Sequence, residues 1–148
     1  MVKKFIILDI ETTGIDLDQG HRVIEIGAVI LNDRNASTDH FHTYLNPPRL
    51  VEENASSVHG ITNEYLNDQP LFKEIAEEFL EFVNGSTLVI HKGGLDITFL
   101  NNELQLASSK YPKLEDVCEI EDSLIITRNK FYGERNSLVK TLLKIILN

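Results

Sequence analysis

Phe5-Ile6-Ile7-Leu8-Asp9-Ile10-Glu11-Thr12-Thr13-Gly14 is the stretch on which the reading of this chain turns. An apolar run ends in two carboxylates spaced i, i+2, and a Thr-Thr-Gly turn comes next. On a strand, that spacing puts both acids on one face. Carboxylates at the end of a buried strand are costly unless a cation or hydrogen-bond donors offset their charge. A divalent metal site accounts for them, and oxygen-only ligands suit Mg²⁺ or Mn²⁺ better than zinc. The plain alternative is a strand-end acid pair that faces water.

Working outward, residues 4–10 read as a buried strand, and residues 22–31 (Arg-Val-Ile-Glu-Ile-Gly-Ala-Val-Ile-Leu) as a second. Asn32-Asp33-Arg34-Asn35 carries turn chemistry, and residues 39–45 return as a third strand. Pro47-Pro48 breaks the pattern. A short helix over 51–60, closed by Gly60, precedes a turn capped by Thr62. Leu71, Phe72, Ile75, Ala76, Phe79, Leu80 and Val83 recur at helical spacing. A strand over 86–91 runs through Gly93-Gly94 into a helix over 95–106, and a short strand lies near 117–121. Asp122 or Ser123 caps a helix ending near Gly133, and Asn136-Ser137 caps a last one over 138–147. Three antiparallel strands and then strands alternating with helices predict an α/β fold, a mixed sheet flanked by helices, with ligands at strand ends.

The 148 residues form one expected domain, 1–148. The single Cys118 reads as a small buried apolar residue in a reducing compartment. Asp9 and Glu11 interrupt the first apolar run too early for a signal peptide, and no stretch reaches membrane-spanning length. A cytoplasmic protein with no membrane partner is therefore expected. The net charge is −9. Residues 1–108 hold 7 Lys/Arg against 17 Asp/Glu, whereas residues 109–148 hold 7 against 6. Such acidity argues against a protein that coats duplex DNA, and leaves room for one that handles a single strand end.

Asp96 comes after the glycine loop, in the first turn of its helix. Alone it is explained as a cap favoured by the helix dipole; beside Asp9 and Glu11 it becomes a candidate third ligand. His59, next to Gly60, is a structural or a substrate-contacting histidine. His40 and His42 share a strand face and read as solvated. His21 has no partner visible in the sequence. Arg128, Lys130, Arg135, Lys140 and Lys144 form either a phosphate or partner contact or a solvated helix face.

Together these segments resemble the DEDD superfamily of 3′–5′ exonucleases, which have a ribonuclease-H-like fold. Within it they are similar to the proofreading (epsilon) subunits of bacterial DNA polymerase III. The likeness spans about residues 4–138 and is carried by six groups of residues. The first three are Asp9-Ile10-Glu11-Thr12-Thr13-Gly14, Ile24-Glu25-Ile26-Gly27-Ala28 with Asn46-Pro47, and His59-Gly60-Ile61-Thr62. The others are Val89-Ile90-His91, Asp96 through Asn101, and Arg135-Asn136-Ser137-Leu138.

The resemblance implies metal-dependent, two-metal hydrolysis of the 3′-terminal nucleotide. Asp9, Glu11 and Asp96 would be both catalytic residues and metal ligands, with Asp9 bridging two Mg²⁺ or Mn²⁺ ions about 3.5–4 Å apart. Thr12, His59 and His91 would bind substrate. It also implies a role in DNA replication and proofreading, with the single-stranded 3′ end of DNA and other DNA polymerase III subunits as partners.

Two departures from the family shape the expectations. Its third motif, His-x-x-x-x-Asp or, in a sister group, Tyr-x-x-x-Asp, supplies a general base and a fourth carboxylate; here Tyr132 is succeeded four residues on by Asn136, and the last Asp is Asp122. The chain therefore reads as C-terminally truncated relative to the family, without the final helix, and with impaired hydrolysis. The apolar helix over 138–147 would then cover bared sheet surface or pair with a second copy in a homodimer. Secondly, Lys92-Gly93-Gly94-Leu95-Asp96 replaces the usual Asn-Ala-x-Phe-Asp, bringing in a cation and a looser loop. A non-catalytic replication subunit or strand-end binder, and an RNA-trimming exonuclease, stay open as alternatives.

Overall fold

The computed structural model describes residues 4–32, 35–90 and 94–122. The helices expected over 123–133 and 138–147, the basic cluster they carry, and His91 lie outside the described residues. Five strands form one sheet: β1 (Phe5–Thr12), β2 (Val23–Asn32), β3 (Asn35–Tyr44), β4 (Thr87–Ile90) and β5 (Glu119–Asp122). Their order is β3-β2-β1-β4-β5. β1, β2 and β3 pair antiparallel, while β4 joins β1, and β5 joins β4, in parallel. This is the expected mixed sheet. The parallel half is fed by helices, because parallel neighbours need a crossover connection.

The helices are α1 (Glu53–His59), α2 (Asn63–Leu66), α3 (Phe72–Val83), α4 (Leu95–Ala107) and α5 (Leu114–Val117). The chemistry at their ends is that of the residues placed there. Thr62 Oγ1 accepts from the Tyr65 N–H and starts α2. The Glu74 carboxylate accepts from the Leu71 N–H at 2.7 Å and starts α3. At the start of α4, Gly94 takes φ +83°, a left-handed conformation that residues with a Cβ rarely adopt.

Alternation along β1 sorts the molecule into two faces. Ile6, Leu8 and Ile10 join Ile26, Ala28, Phe41 and Leu88 in the main core. Onto them α3 lays Phe72, Ala76, Phe79 and Val83, and α4 lays Ile97, Phe99, Leu100 and Leu104. Phe79 packs at a steep tilt between Phe41 and Phe72, with centroids 5.6 and 6.2 Å away. The opposite row starts apolar, with Ile7 and Val89 packed against Phe5 and Leu31, and then turns acidic at Asp9 and Glu11. A third, smaller cluster of Ile24, Val51, Ile61 and Leu66 seats α1 and α2 beside the end of β1. Among the described residues no helix is long and apolar enough to cross a membrane.

Candidate active site

Asp9 lies across from Gly27, and Glu11 across from Glu25. Just beyond, the pairing slips, so that Thr12 faces Val23 rather than Ile24. A bulge of this kind twists a strand end and re-aims its last side chains. Here it sits where the acids give way to the Thr12-Thr13-Gly14 turn. Asp96 arrives from the first turn of α4. Its neighbours Ile97 and Leu100 are buried in the core, which anchors that turn against the sheet.

The charge of Asp9 reaches both other carboxylates, and that of Glu11 reaches Asp96. Burial, then the charge of Asp9, then that of Glu25, push Glu11 up to about 7. Burial, then Asp9, then Glu11, push Asp96 up to about 7. Carboxylates gathered from residues 9, 11 and 96 thus share one electrostatic environment, and a cation there would relieve it. Charge coupling reaches further than ligation does, however. Among the described residues, no three His, Cys, Asp or Glu side chains stand together as a ready ligand cluster. The acids are neighbours in charge, not a closed cage. Their hard oxygen donors fit Mg²⁺ or Mn²⁺, and Asp9, Glu11 and Asp96 are the residues that could hold such an ion.

The carboxylate row continues sideways into a polar network. Glu25, 6% exposed, meets His42 Nε2 at 2.8 Å. Tyr44 lies edge-on to both His42 and Tyr65. Burial, then the charge of Glu25, push its hydroxyl up to about 12. His42 is therefore a hydrogen-bond partner of a buried acid, not the solvated strand residue its sequence suggests. Glu25 itself is a site neighbour that alternation alone does not separate from a surface acid.

The turn after β1 is held on several sides. His59 accepts the Ile61 N–H at Nδ1 (3.1 Å), which leaves Nε2–H to donate to the Thr12 carbonyl at 3.2 Å. The Thr13 carbonyl accepts the Glu52 N–H at 2.9 Å. The expected substrate-binding pair, Thr12 and His59, is thus in direct contact. Ile15, Val58 and Leu95 are exposed apolar side chains flanking Gly14, His59 and Asp96 in sequence.

Arg22 makes a two-pronged ion pair with Glu103, both contacts 2.8 Å, and Glu103 also accepts the Val23 N–H at 3.0 Å. Glu103 is only 1% exposed, so this pair clamps α4 to the start of β2. Cys118 is half-buried; burial, then Glu115, push its thiol up to about 11, and its Sγ lies 3.0 Å from the Leu114 carbonyl.

Comparison with known proteins points the same way. The family described as Exonuclease (RNase T) matches residues 6–146. DNA polymerase III subunit epsilon of Rickettsia prowazekii is 47% identical over 133 residues, covering 90% of this chain and 58% of the relative. The Escherichia coli subunit epsilon is 43% identical over 141 residues, covering 93% and 58%. The chain therefore spans about three-fifths of the length of the curated relatives it matches. Among solved structures, exonuclease X in complex with 5′ overhanging duplex DNA superposes with a TM-score of 0.64 at 20% identity, covering 93% of this chain and 72% of that one. The zinc-bound Escherichia coli exonuclease I–single-stranded DNA complex gives 0.70 at 15% identity, covering 88% and 30%. At those identities the two structures speak for the fold alone, and it is the mixed, helix-flanked sheet described above.

Proposed function

Because the chain belongs to the RNase T-type exonuclease family, a family of metal-dependent 3′–5′ exonucleases, we propose that it is a proofreading-type hydrolytic domain like that of DNA polymerase III subunit epsilon. Its substrate would be the single-stranded 3′ end of DNA, and its partners the other subunits of such a polymerase. The observation that carries this reading is the placement of Asp9 and Glu11 at the end of β1 and of Asp96 in the first turn of α4, with the charge of Asp9 reaching both other carboxylates.

In this scheme water attacks the terminal phosphodiester phosphorus, the bond to the penultimate 3′ oxygen breaks, and a nucleoside 5′-monophosphate leaves. Asp9, Glu11 and Asp96 would hold Mg²⁺ or Mn²⁺, which when bound neutralises charge on the phosphate and activates water. Thr12, with His59 donating to its carbonyl, would give the terminal nucleotide a rigid wall; His91 is assigned to the same pocket on resemblance. The 148-residue polypeptide by itself contains no His after His91 and no Asp after Asp122.

Trimming of 5′-labelled single-stranded DNA and RNA in Mg²⁺ or Mn²⁺, with Asp9→Ala as control, tests this. Metal-dependent shortening of DNA that is lost in the variant is expected. No shortening together with retained strand-end binding would instead favour a non-catalytic subunit. Faster shortening of RNA than of DNA would overturn the substrate assignment.

A further inference from the structure

The exonuclease scheme makes no use of His21, yet its ring is 1% exposed and built into the turn after β1. Nδ1 lies 2.9 Å from Thr13 Oγ1, and Nε2 lies 3.0 Å from Glu52 Oε1. Arg49 Nη2 stands 3.4 Å from the same Nε2. Thr13 Oγ1 already accepts the Arg22 N–H at 3.0 Å, so its own proton is free to point at His21 Nδ1. That leaves Nε2–H to donate to Glu52, which satisfies both the hydroxyl and the carboxylate; the Arg49 guanidinium, itself only a donor, then lies beside Nε2 without a hydrogen bond to it.

Gly14 completes the fit. A Cβ at Gly14 would lie 2.4–2.6 Å from three atoms of the His21 ring, so the turn lies flat on the imidazole with no room for a side chain. The ring thereby joins the turn that carries Thr12 to the segment leading into α1, which carries His59. The next two residues extend the junction, because Arg22 and the Val23 N–H hold Glu103 of α4, the helix that presents Asp96.

We propose that His21 is a positioning residue: it locks the Thr12–Gly14 turn against α1 so that Thr12 and His59 meet the terminal nucleotide as one surface, without touching the nucleotide itself. This rests on the exonuclease reading above and adds to it the residue that organises the nucleotide pocket.

The test separates ion binding from nucleotide binding. Affinities for Mn²⁺, and for thymidine 5′-monophosphate in saturating Mn²⁺, are measured by calorimetry on the 148-residue protein and three variants. His21→Phe keeps a ring on Gly14 but removes both hydrogen bonds. His21→Gln restores one donor and one acceptor. Glu52→Ala removes the exposed partner of Nε2 and keeps the test decisive should the Phe variant not fold.

In His21→Phe, nucleotide binding should weaken about tenfold, as expected for the loss of one or two buried hydrogen bonds, with Mn²⁺ affinity unchanged within about twofold. His21→Gln should recover most of the loss, and Glu52→Ala should show about a threefold loss. Amide exchange should quicken at Thr13, Arg22 and Glu52 but not at Leu8 in the core. Unchanged nucleotide affinity in the folded variants, or equal weakening of ion and nucleotide, would overturn the assignment. Wild-type protein that bound neither ion nor nucleotide would overturn the exonuclease reading first, and with it this extension; only the variants report on His21 alone.

Discussion

The two faces of β1 are built from one eight-residue strand and do opposite things. Ile6, Leu8 and Ile10 are 9% exposed or less and meet α3 and α4 across a wholly apolar contact. Ile7, Asp9 and Glu11 begin apolar and end in acids whose burial and mutual repulsion hold Glu11 up near 7. One face pins the strand in place, so that the other can keep like charges close without the sheet coming apart. A row of acids that works against stability is tolerated because its reverse side is packed.

The comparison breaks most visibly on the packed side. Phe79→Ala empties the centre of the α3–sheet contact and should lower unfolding free energy by about 3–5 kcal/mol, read from urea denaturation. Arg22→Ala leaves the buried Glu103 carboxylate unpaired and should remove about 3 kcal/mol, together with whatever Mn²⁺ affinity depends on the placement of α4. A loss below about 1 kcal/mol in either variant would mean that the anchoring lies elsewhere.

The acidic side should respond to pH in the opposite sense from an ordinary salt-bridged carboxylate. Folding raises Glu11 from 4.5, and Asp96 from 3.8, to about 7. Their contribution to stability is therefore fully present below about pH 4 and is lost as pH climbs through about 7. Metal-free protein should lose thermal stability across that window, Glu11→Gln should flatten the loss, and Mn²⁺ should raise the melting temperature more at about pH 8 than at about pH 5. A flat profile in the wild type would contradict the electrostatic account of this face.

Much of this was legible from residue order. Alternation and the i, i+2 acids mark β1, the turn at 32–35 marks the β2–β3 hairpin, and apolar spacing marks α3. The structure starts β3 at Asn35 rather than 39. Asn35-Ala36-Ser37-Thr38 has no apolar alternation to announce a strand, and hairpin pairing with β2 supplies the order instead. α5 and the 3₁₀ turn Leu17–Gln19 are too short to carry a period.

The polar scaffold of the site was not legible at all. Arg22 and Glu103 are 81 residues apart, and no local pattern marks either as the other's partner. His21 reads as an isolated histidine until the turn folds onto it. Asp9, Glu11 and Asp96 could be named from sequence, but nothing there shows what holds the surrounding loops.

The most direct test of the central claim, that Asp9, Glu11 and Asp96 together take a divalent ion, is Mn²⁺ titration calorimetry of the wild type beside Asp96→Asn. Saturable binding that is lost or weakened at least about tenfold when the α4 carboxylate is neutralised is the predicted result. Equal binding in both proteins would contradict it, because the ion would then sit without α4.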